Sequence, residues 1–495
     1  MLTRGQMHDI HTTALRVLRE VGLEIHISDG GFAALRKHGL SIDERGRRVR
    51  LDHEPVLETI RQLCGARSPE VTADGVDKDS VPCVLPARLT IDIGAAHGFI
   101  LDEERRMRPV RHKDMLDSLR LKKSLPGVPV CGAGLVMQEV PGDVAFIHST
   151  AFNVKYCARP CATDCNGLED AAWITRIMRA AGAWDEAQRH EGSLYARSPL
   201  CLTGRGAAFL EESARAGRPR RVTGMPTPGA TAPGTLAGYL VQYLAESVGF
   251  PTLGRLLCNP PREVPAMSSG GDDITAMDMR KAVFFLAGPD VSLMRMGMKQ
   301  MLGEFYKCPG SHCCEIRTFT DAKEPGIQAA VEKTFQAMCD LMMGMYSDDP
   351  VPVARMACAG SLNTNLALSL EQAVIDYDLF QMLNRLLAGI RTDEDALGFE
   401  AIRRVGPSGE FLSDEHTRRH GRTEWWFPAL FHRGAWDMWR ADGRPDVVER
   451  AREIVLQSKR IDVPCVLPED AAREVDRLVQ AAERDLLGST TGLLP

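Results

Sequence analysis

The chain has 495 residues, of which 44% are hydrophobic and 25% charged, so it can bury one large α/β barrel with extensions or two to three ordinary domains. Its 60 basic and 66 acidic residues give a net charge of -6, and no long run carries a single sign. These numbers argue against nucleic-acid binding, which leaves a strong basic footprint, and no apolar run is long enough to span a membrane.

The first part of the chain predicts a helical extension over residues 1–75. Thr3 and Gln6 form a capping-box pattern, the apolar residues that follow recur at three- and four-residue spacing, and Gly22 ends the run. A second helix is expected at 55–63, and a small strand pair at 42–51. Because the start is polar and lacks a secretory signal, we expect a cytoplasmic protein with its 14 cysteines reduced.

From about residue 81 the pattern changes to short apolar segments that are followed by loops and then by helices. The predicted strands are 128–134, 160–164, 193–197, 220–225, 264–268, 313–320 and 351–358. Seven strands alternating with helices favour a (β/α)8 TIM-like barrel over residues 76–440 rather than an open sheet. No GxGxxG or GxxxxGK[ST] motif opens a helix, which argues against a nucleotide site.

Helix boundaries are predicted from caps and glycines. Thr235 should begin a helix that Gly249 ends, and a further apolar face over 366–380 should end at Gly389. The tail, 441–495, is expected to hold two C-terminal helices packed on the barrel.

Four segments resemble the trimethylamine:corrinoid methyltransferase family, in the branch that includes glycine betaine demethylating enzymes. They stand in the expected order over nearly the whole chain: LREVG at 18–22, GATAPGTLAG at 229–238, TDAKEP at 320–325, and GPSGEFL at 406–412 followed by WWFPALF at 425–431. The resemblance implies a TIM-like barrel that removes a methyl group from a methylated amine. It also implies that the methyl passes to the cobalt of cobalamin on a separate corrinoid protein, with no cofactor tightly bound in this chain.

The sequence departs from the family in three places. The founding activity depends on pyrrolysine, which is absent here. Residues 357–360 read Ala-Cys-Ala-Gly where relatives carry a histidine, and the loop 308–315 is unlike the usual small-residue version. A quaternary ammonium leaves as a neutral amine and needs no proton, so the missing pyrrolysine favours a quaternary, betaine-like substrate whose binding and orientation carry most of the catalysis.

Quaternary ammonium groups are bound by aromatic faces and carboxylates. The aromatic cluster Trp425, Trp426 and Phe427 is therefore a candidate cage, although a packed barrel-edge segment is the commoner role for such a run. Tyr195 and Phe319, near predicted strand ends, are single-aromatic alternatives.

Charged candidates follow the predicted strands, where barrel active sites collect. Arg197 would bind a substrate carboxylate, or would be a surface arginine paired with a helix. Asp321 and Glu324 would act catalytically on the ammonium or shape the corrinoid docking surface, or Asp321 would cap the next helix. Three further residues face the same choice: Asp164 at a probable strand end, and Arg317 and Arg355, which either point into the barrel or form structural ion pairs.

Two cysteine groups and two glycine stretches leave alternatives open. The cysteine groups are Cys157, Cys161 and Cys165, and Cys308 with His312, Cys313 and Cys314. No CxxC pair is present, so buried thiols are favoured over zinc. Glycines at 132–134 and 268–271 would leave room for a corrinoid or form tight turns. The competing functions are zinc-assisted methyl transfer and a non-catalytic amine-binding relative. The sequence leaves the oligomeric state open, with self-association through the tail helices as one option.

Overall fold

The computed structural model of the chain describes most of its residues with their surroundings. The described ranges are 2–43, 45–64, 71–72, 75–76, 88–161, 164–165, 167–183, 194–217, 220, 222–262, 274–306, 315–344 and 353–490.

Helices make up most of the described chain. They are α1 (Arg4–Arg16), α2 (Asp29–Arg36), α3 (His53–Cys64), α4 (His112–Ser124), α5 (Gly142–Tyr156), α6 (Leu168–Ala180), α7 (Gly204–Arg215), α8 (Leu236–Leu257), α9 (Pro289–Lys299), α10 (Ile327–Gly344), α11 (Leu370–Leu387), α12 (Glu394–Leu397), α13 (Phe399–Val405), α14 (Glu415–His420), α15 (Trp436–Ala441), α16 (Val447–Ser458) and α17 (Glu469–Thr490). Two π-helical stretches, Val17–Val21 and Gln300–Phe305, extend α1 and α9.

The strands are short. They are β1 (Leu23–Ile25), β2 (Ser41–Asp43), β3 (Arg48–Arg50), β4 (Val71–Thr72), β5 (Gly75–Val76), β6 (Arg88–Ile93), β7 (Phe99–Leu101), β8 (Met107–Pro109), β9 (Leu194–Tyr195), β10 (Cys201–Leu202), β11 (Val222–Thr223), β12 (Ala276–Asp278), β13 (Val283–Phe285), β14 (Glu315–Arg317), β15 (Val353–Ala359), β16 (Ser361–Leu362) and β17 (Ala367–Leu368).

The N-terminal extension folds as predicted. The Thr3 hydroxyl accepts a hydrogen bond from the Gln6 amide and the Gln6 side chain returns to the Thr3 amide, which completes the capping box. Gly22 then ends the helical run in a left-handed conformation, with φ 81°. β2 and β3 form the expected antiparallel pair, and β1 joins β3 on one side and β10, in parallel, on the other. The extension therefore shares a sheet with the following body.

Parallel pairing is the main feature of the body. β15 lies between β14 and β6, parallel to both, and β9 pairs with β11 in parallel. The fold is thus a mixed α/β architecture with parallel strands between helices. The sheets are small, and none closes on itself within the described ranges.

Four of the seven predicted strands are confirmed as β9, β11, β14 and β15. The prediction at 128–134 is wrong: these residues are irregular and are followed by a single parallel bridge between Leu135 and His97. The segment 264–268 lies outside the described residues, and the described part of 160–164 holds no strand. The sequence reading also missed β6, whose buried Leu89, Ile91 and Ile93 alternate with less buried residues as a strand requires.

The predicted end of one helix is also wrong. α8 begins after Thr235, which caps it, but it continues past Gly249 to Leu257. A Cβ on Gly249 would lie 2.6 Å from Leu18 Cδ2 and 2.7 Å from Leu23 Cδ1. Glycine is needed there because α8 packs closely against the N-terminal extension, so the residue marks a contact rather than a helix end.

Buried charges fix the position of β14. The Asp340 carboxylate, on α10, lies 2.9 Å from Lys299 Nζ and 3.4 Å from Arg295 Nη1, and it accepts a hydrogen bond from the Arg317 amide at 3.3 Å. Removing one member of such a buried pair leaves an uncompensated charge, so the network holds the strand in one place.

The tail folds as the two predicted helices. α11 ends at Leu387 and Gly389 follows in a left-handed conformation, also as predicted. α16 packs on α11, and α17 packs on α5 and α6. No described helix is both long and apolar enough to cross a bilayer.

Candidate active site

A cavity of about 370 Å³ opens where the parallel strands β6, β14 and β15 end. Its volume suits a small molecule. Its polar lining carries three basic groups, three carboxylates, three thiols, two side-chain amides and a phenol: Lys122, Arg317, Arg355, Asp92, Asp164, Glu315, Cys131, Cys161, Cys358, Asn153, Asn365 and Tyr195.

The basic and acidic groups of the cavity face one another. Arg355 Nη2 donates to Glu315 Oε1 at 3.0 Å, and Arg355 Nη1 lies 3.8 Å from Asp92 Oδ2. Half of the Arg355 side chain remains exposed, at 51%, whereas only 8% of Glu315 is. The Arg355 guanidinium therefore has donors left for a ligand, while its carboxylate partners keep the site close to neutral.

Arg317 is held more firmly than Arg355. Its Nε lies 3.1 Å from Glu315 Oε1 and its Nη1 donates to Cys358 Sγ at 3.2 Å. The guanidinium also lies 5.8 Å from the centre of the buried Phe319 ring. This packing positions Arg317 beside the more exposed Arg355.

Lys122 carries a buried charge at the back of the cavity. Its Nζ donates to the Gly132 carbonyl at 2.7 Å and lies 3.6 Å from Asp92 Oδ1. The Asp92 carboxylate is therefore stabilised by two nearby cations, Lys122 and Arg355.

The thiols of Cys131 and Cys161 form a hydrogen-bonded pair. The Cys161 amide also donates to the Cys131 carbonyl at 2.7 Å, which holds the two residues side by side. Hydrogen bonding from the Cys161 thiol, assisted by the Lys122 charge, lowers the pKa of Cys131 to about 6, whereas the same hydrogen bond raises the pKa of Cys161. The hydrogen bond therefore favours the thiolate form of Cys131 over that of Cys161.

His97 lies in the wall next to the cavity. Its Nδ1 donates to the Asn365 carbonyl at 3.1 Å, and its buried Nε2 has no hydrogen-bond partner among the described residues. Burial lowers the pKa of His97 to about 4, so the ring is neutral above that pH. Asn365 ends a run of three left-handed residues, with φ values of 52°, 57° and 63° at 363, 364 and 365, and such strained backbone is common at functional sites.

The glycines at the mouth serve close backbone packing. A Cβ on Gly134 would lie 2.4 Å from the Ile93 carbonyl oxygen, and one on Gly94 would lie 2.6 Å from the Gly134 carbonyl oxygen. Both residues have positive φ, 71° and 79°. The two predicted reasons for glycine at 132–134 were room for a corrinoid and tight turns, and the backbone contacts and positive φ of Gly134 favour the tight turn. Residues 268–271 lie outside the described part.

Of the three predicted ligands Tyr195, Arg197 and Phe319, only Tyr195 is among the residues that line the cavity. Tyr195 lines the cavity and is 44% exposed. Arg197 is exposed two residues later and is not part of the cavity lining, so its predicted role in carboxylate binding stays a prediction. Phe319 is fully buried beneath Arg317 and Arg295, where it supports the site without lining it.

Asp321 and Glu324 occupy different surroundings. The Asp321 carboxylate accepts hydrogen bonds from the Leu286 and Ala287 amides at 2.9 and 3.2 Å, and burial raises its pKa. Glu324 is exposed and lies 3.5 Å from Arg105. Their predicted catalytic roles remain predictions. The amides that Asp321 binds precede α9, so these contacts differ from the expected cap on the following helix, α10.

Trp425, Trp426 and Phe427 lie away from the cavity. Glu424, next to this triplet, accepts through its carbonyl from Arg385 at the end of α11, and Asn384 one residue earlier accepts from the amide of Leu89 at the start of β6. The cavity lies at the other end of β6. Within one chain, the aromatic triplet and the cavity are therefore far apart.

The described part of the chain holds potential metal ligands outside the cavity. There are two groups of three donors, Glu24–His26–Cys201 and Asp395–His416–His420. Within each group the donor atoms lie within 4.8 Å of one another, and neither group lines the cavity. α5 ends at Tyr156 before the predicted thiol triplet, so Cys157, Cys161 and Cys165 do not share a helix face. The second predicted group, at 308–314, lies outside the described residues.

The residues that reasoning from sequence missed are Asp92, Lys122, Cys131 and Glu315. Asp92 had a visible signal, since it continues the alternating RLTI and stands two residues before Gly94, which is the pattern of a strand end. Lys122 had none, because a lysine in an amphipathic helix is usually solvated.

The comparisons with known proteins agree with one another. The family described as "Trimethylamine methyltransferase (MTTB)" matches residues 1–486. The trimethylamine methyltransferase MttB of Desulfitobacterium hafniense is 24% identical over 488 residues, 97% of this chain and 93% of that protein. The glycine betaine methyltransferase of another strain of that species is 24% identical over 446 residues, 89% of this chain and 88% of that protein. Because the match spans nearly the whole chain, this protein belongs to the trimethylamine methyltransferase family.

Proposed function

We propose that this protein transfers a methyl group from a betaine-like quaternary amine to the cobalt of a separate corrinoid protein. The observation that carries the substrate part is the cavity lining, in which three cations and three carboxylates stand together at the ends of parallel strands. A zwitterion that carries both an ammonium and a carboxylate matches such a lining, whereas trimethylamine offers nothing for the arginines to bind. The relatives named for trimethylamine and for glycine betaine support methyl transfer from an amine.

The substrate would lie across the cavity. The exposed Arg355 guanidinium would hold the carboxylate, with Arg317 beside it. Asp92 and Asp164 would face the ammonium, with the Tyr195 ring as a cation–π partner. Both arginines already interact with Glu315, so a bound carboxylate shares donors that are in place before binding.

The chemistry asked of this chain is binding and orientation. Cobalt in its Co(I) state, carried by the partner, supplies the nucleophile. The cavity residues would hold one N-methyl carbon towards the open side of the site, and the amine departs neutral without a proton donor. Exposed residues at the rim, among them Ala96 and Cys161, leave this side open to a partner.

We further propose that the parallel strands belong to a (β/α)8 barrel over 76–440, preceded by the extension 1–75 and followed by the helices of 441–495. The three-strand unit β14–β15–β6 supports this division because its strands are parallel and are separated in the chain by helices. The extension packs into the same core as α8, so we expect it to fold with the barrel.

The test is a methyl-transfer assay with a purified corrinoid protein in the Co(I) state, followed by the absorbance of methylcobalamin. The substrates are glycine betaine, tetramethylammonium, which lacks the carboxylate, and trimethylamine. We expect turnover in that order, with glycine betaine best. Turnover of trimethylamine alone would contradict the substrate, and binding of amines without methyl transfer would support a non-catalytic relative instead. Stoichiometric zinc in the active protein would contradict the proposed mechanism.

A further inference from the structure

Residues 388–446, here called the arm, have almost no core. Within them only Ala401 and Leu430 are buried. Eleven large apolar side chains of the arm are instead exposed: Ile390, Leu397, Phe399, Ile402, Phe411, Leu412, Trp425, Phe427, Phe431, Trp436 and Met438. Ile390 and Leu412 are 89% and 90% exposed, so they make almost no contact within the chain.

Polar contacts give the arm its shape. Asp395 pairs with Arg419 at 3.0 Å and with His420 at 2.9 Å, and Arg404 pairs with Asp414 at 2.9 Å. Its helices α12 to α15 are four to seven residues long, too short to be stable alone in water. Exposed ion pairs stabilise a protein little, about 0–1 kcal/mol each, so these contacts do not replace a core.

The buried attachment of the arm to the body is centred on Leu430, and a partly buried contact between Arg385 and Glu424 lies beside it. Asp378 on α11 accepts hydrogen bonds from the Ala429 and Leu430 amides at 3.0 and 3.2 Å, and Arg450 donates to the Leu430 carbonyl at 2.8 Å. The fold therefore fixes the arm on the body while leaving its apolar surface uncovered.

The exposed area is that of a stable interface. Eleven apolar or aromatic side chains, each more than a third exposed, present on the order of 1,000 Å². A stable complex buries about 800 Å² per partner, so the summed apolar area of the arm is large enough for one. α10 also has exposed apolar residues, Ile327 and Val331, but its other face is buried and supports it. The arm has no such second face.

We propose that the arm packs against a second copy of this chain. Its composition is that of an interface: it carries nine arginines, four tryptophans and four phenylalanines but no lysine. Its nine basic and eleven acidic residues nearly balance, and most pair within the arm, so two copies meet without strong repulsion. A copy of the chain is also always present, which suits a surface that needs permanent cover.

Two other occupants fit less well. A helix that lies on a membrane surface is usually rich in lysine and arginine on its polar face, whereas the arm has a slight excess of acidic residues. A corrinoid protein that exchanges during turnover would leave the arm uncovered between visits. The proposal does not depend on the proposed methyl transfer.

The test is the mass of the full-length protein in solution, measured by sedimentation velocity over a dilution series. We expect twice 54.4 kDa or a higher multiple for the natural chain. The double variant Ile390→Asp, Leu412→Asp should dissociate at a concentration about 100-fold higher or more, because each change places a charge in an apolar contact. Val466→Asp makes the same change at an exposed apolar residue outside the arm and should keep the natural mass.

Hydrogen exchange separates the proposal from misfolding. Since Ile390 and Leu412 make almost no contact in one chain, the double variant should keep its circular dichroism spectrum while amides of 388–446 lose protection. A natural chain that sediments at 54.4 kDa at micromolar concentration would overturn the proposal, and so would sedimentation with neutral lipid vesicles in place of self-association.

Discussion

The two ends of β6 present opposite kinds of surface. At its carboxyl end lies the cavity, where Asp92, Arg355 and Glu315 pair within a partly buried lining. The arm lies near its amino end, and there the aromatic side chains are exposed while most of the charged groups pair with one another. Both have the chemistry that recognises a quaternary amine, carboxylates in one and aromatic faces in the other. The difference shows that a residue type marks a site only when the fold gives it an enclosed volume.

The largest expected effect concerns the buried wall of the cavity. The pKa of His97 falls from 6.5 to about 4 on folding. As the pH is lowered, the unfolded chain therefore takes up this proton at a higher pH than the folded protein does. The free energy of unfolding is therefore unaffected by His97 above pH 6.5. It decreases as the pH falls towards 4, by up to roughly 3 kcal/mol.

His97→Asn keeps a donor for the Asn365 carbonyl and removes the titration. Urea unfolding of this variant should depend less on pH between 6.5 and 4 than that of the natural protein. If the free energy of unfolding depended on pH equally in the two proteins, the neutral, buried state of His97 would not be the source of the acid sensitivity.

Substrate discrimination by Arg355 comes next. Arg355→Gln removes the exposed guanidinium, and we expect kcat/KM for glycine betaine to fall about 100-fold, the loss of a charged hydrogen-bonded pair. Tetramethylammonium has no carboxylate, so its kcat/KM should change less than about threefold. A matched control is Arg105→Gln, which removes a surface arginine that faces Glu324. An equal loss for both substrates would mean that Arg355 supports the fold rather than the carboxylate.

A smaller effect is expected at the thiol pair. Replacing Cys161 with Ala removes the hydrogen bond that lowers the pKa of Cys131, so alkylation of Cys131 by iodoacetamide at pH 7 should slow about tenfold. Glycine betaine should protect Cys131 in the natural protein, because the thiol lines the same cavity. Rapid alkylation that neither Cys161→Ala nor substrate alters would separate this pair from the site.

The smallest effect tests the arm as an aromatic cage. Trp425→Ala should change kcat/KM for glycine betaine less than about threefold, since the side chain is 67% exposed and lies away from the cavity. The corresponding change at the cavity rim, Tyr195→Ala, should lower it about tenfold through loss of a cation–π contact. The reverse ranking would restore the aromatic triplet as the binding site.

The sequence predicted those features that depend on local periodicity and caps. The capping box at Thr3, the helix ended by Gly389 and the strands around Arg317 and Arg355 follow from neighbouring residues, and all are confirmed. The end of α8 was missed because Gly249 is set by contact with Leu18, more than 200 residues away in the chain. Lys122 was missed for the same reason, since its partner Asp92 comes from another element.

The aromatic triplet illustrates the limit for the site. Trp425, Trp426 and Phe427 have the side chains of a cage, but only the fold shows that they lie beside the end of α11, near the start of β6. Asp164, by contrast, was expected at a strand end and does line the cavity.

The most direct test of the account is a crystal structure of this protein with glycine betaine. The account predicts the ligand in the cavity, with its carboxylate on Arg355 and its ammonium near Asp92 and Tyr195. Ligand bound against Trp425 and Phe427, with the cavity free of it, would contradict the account.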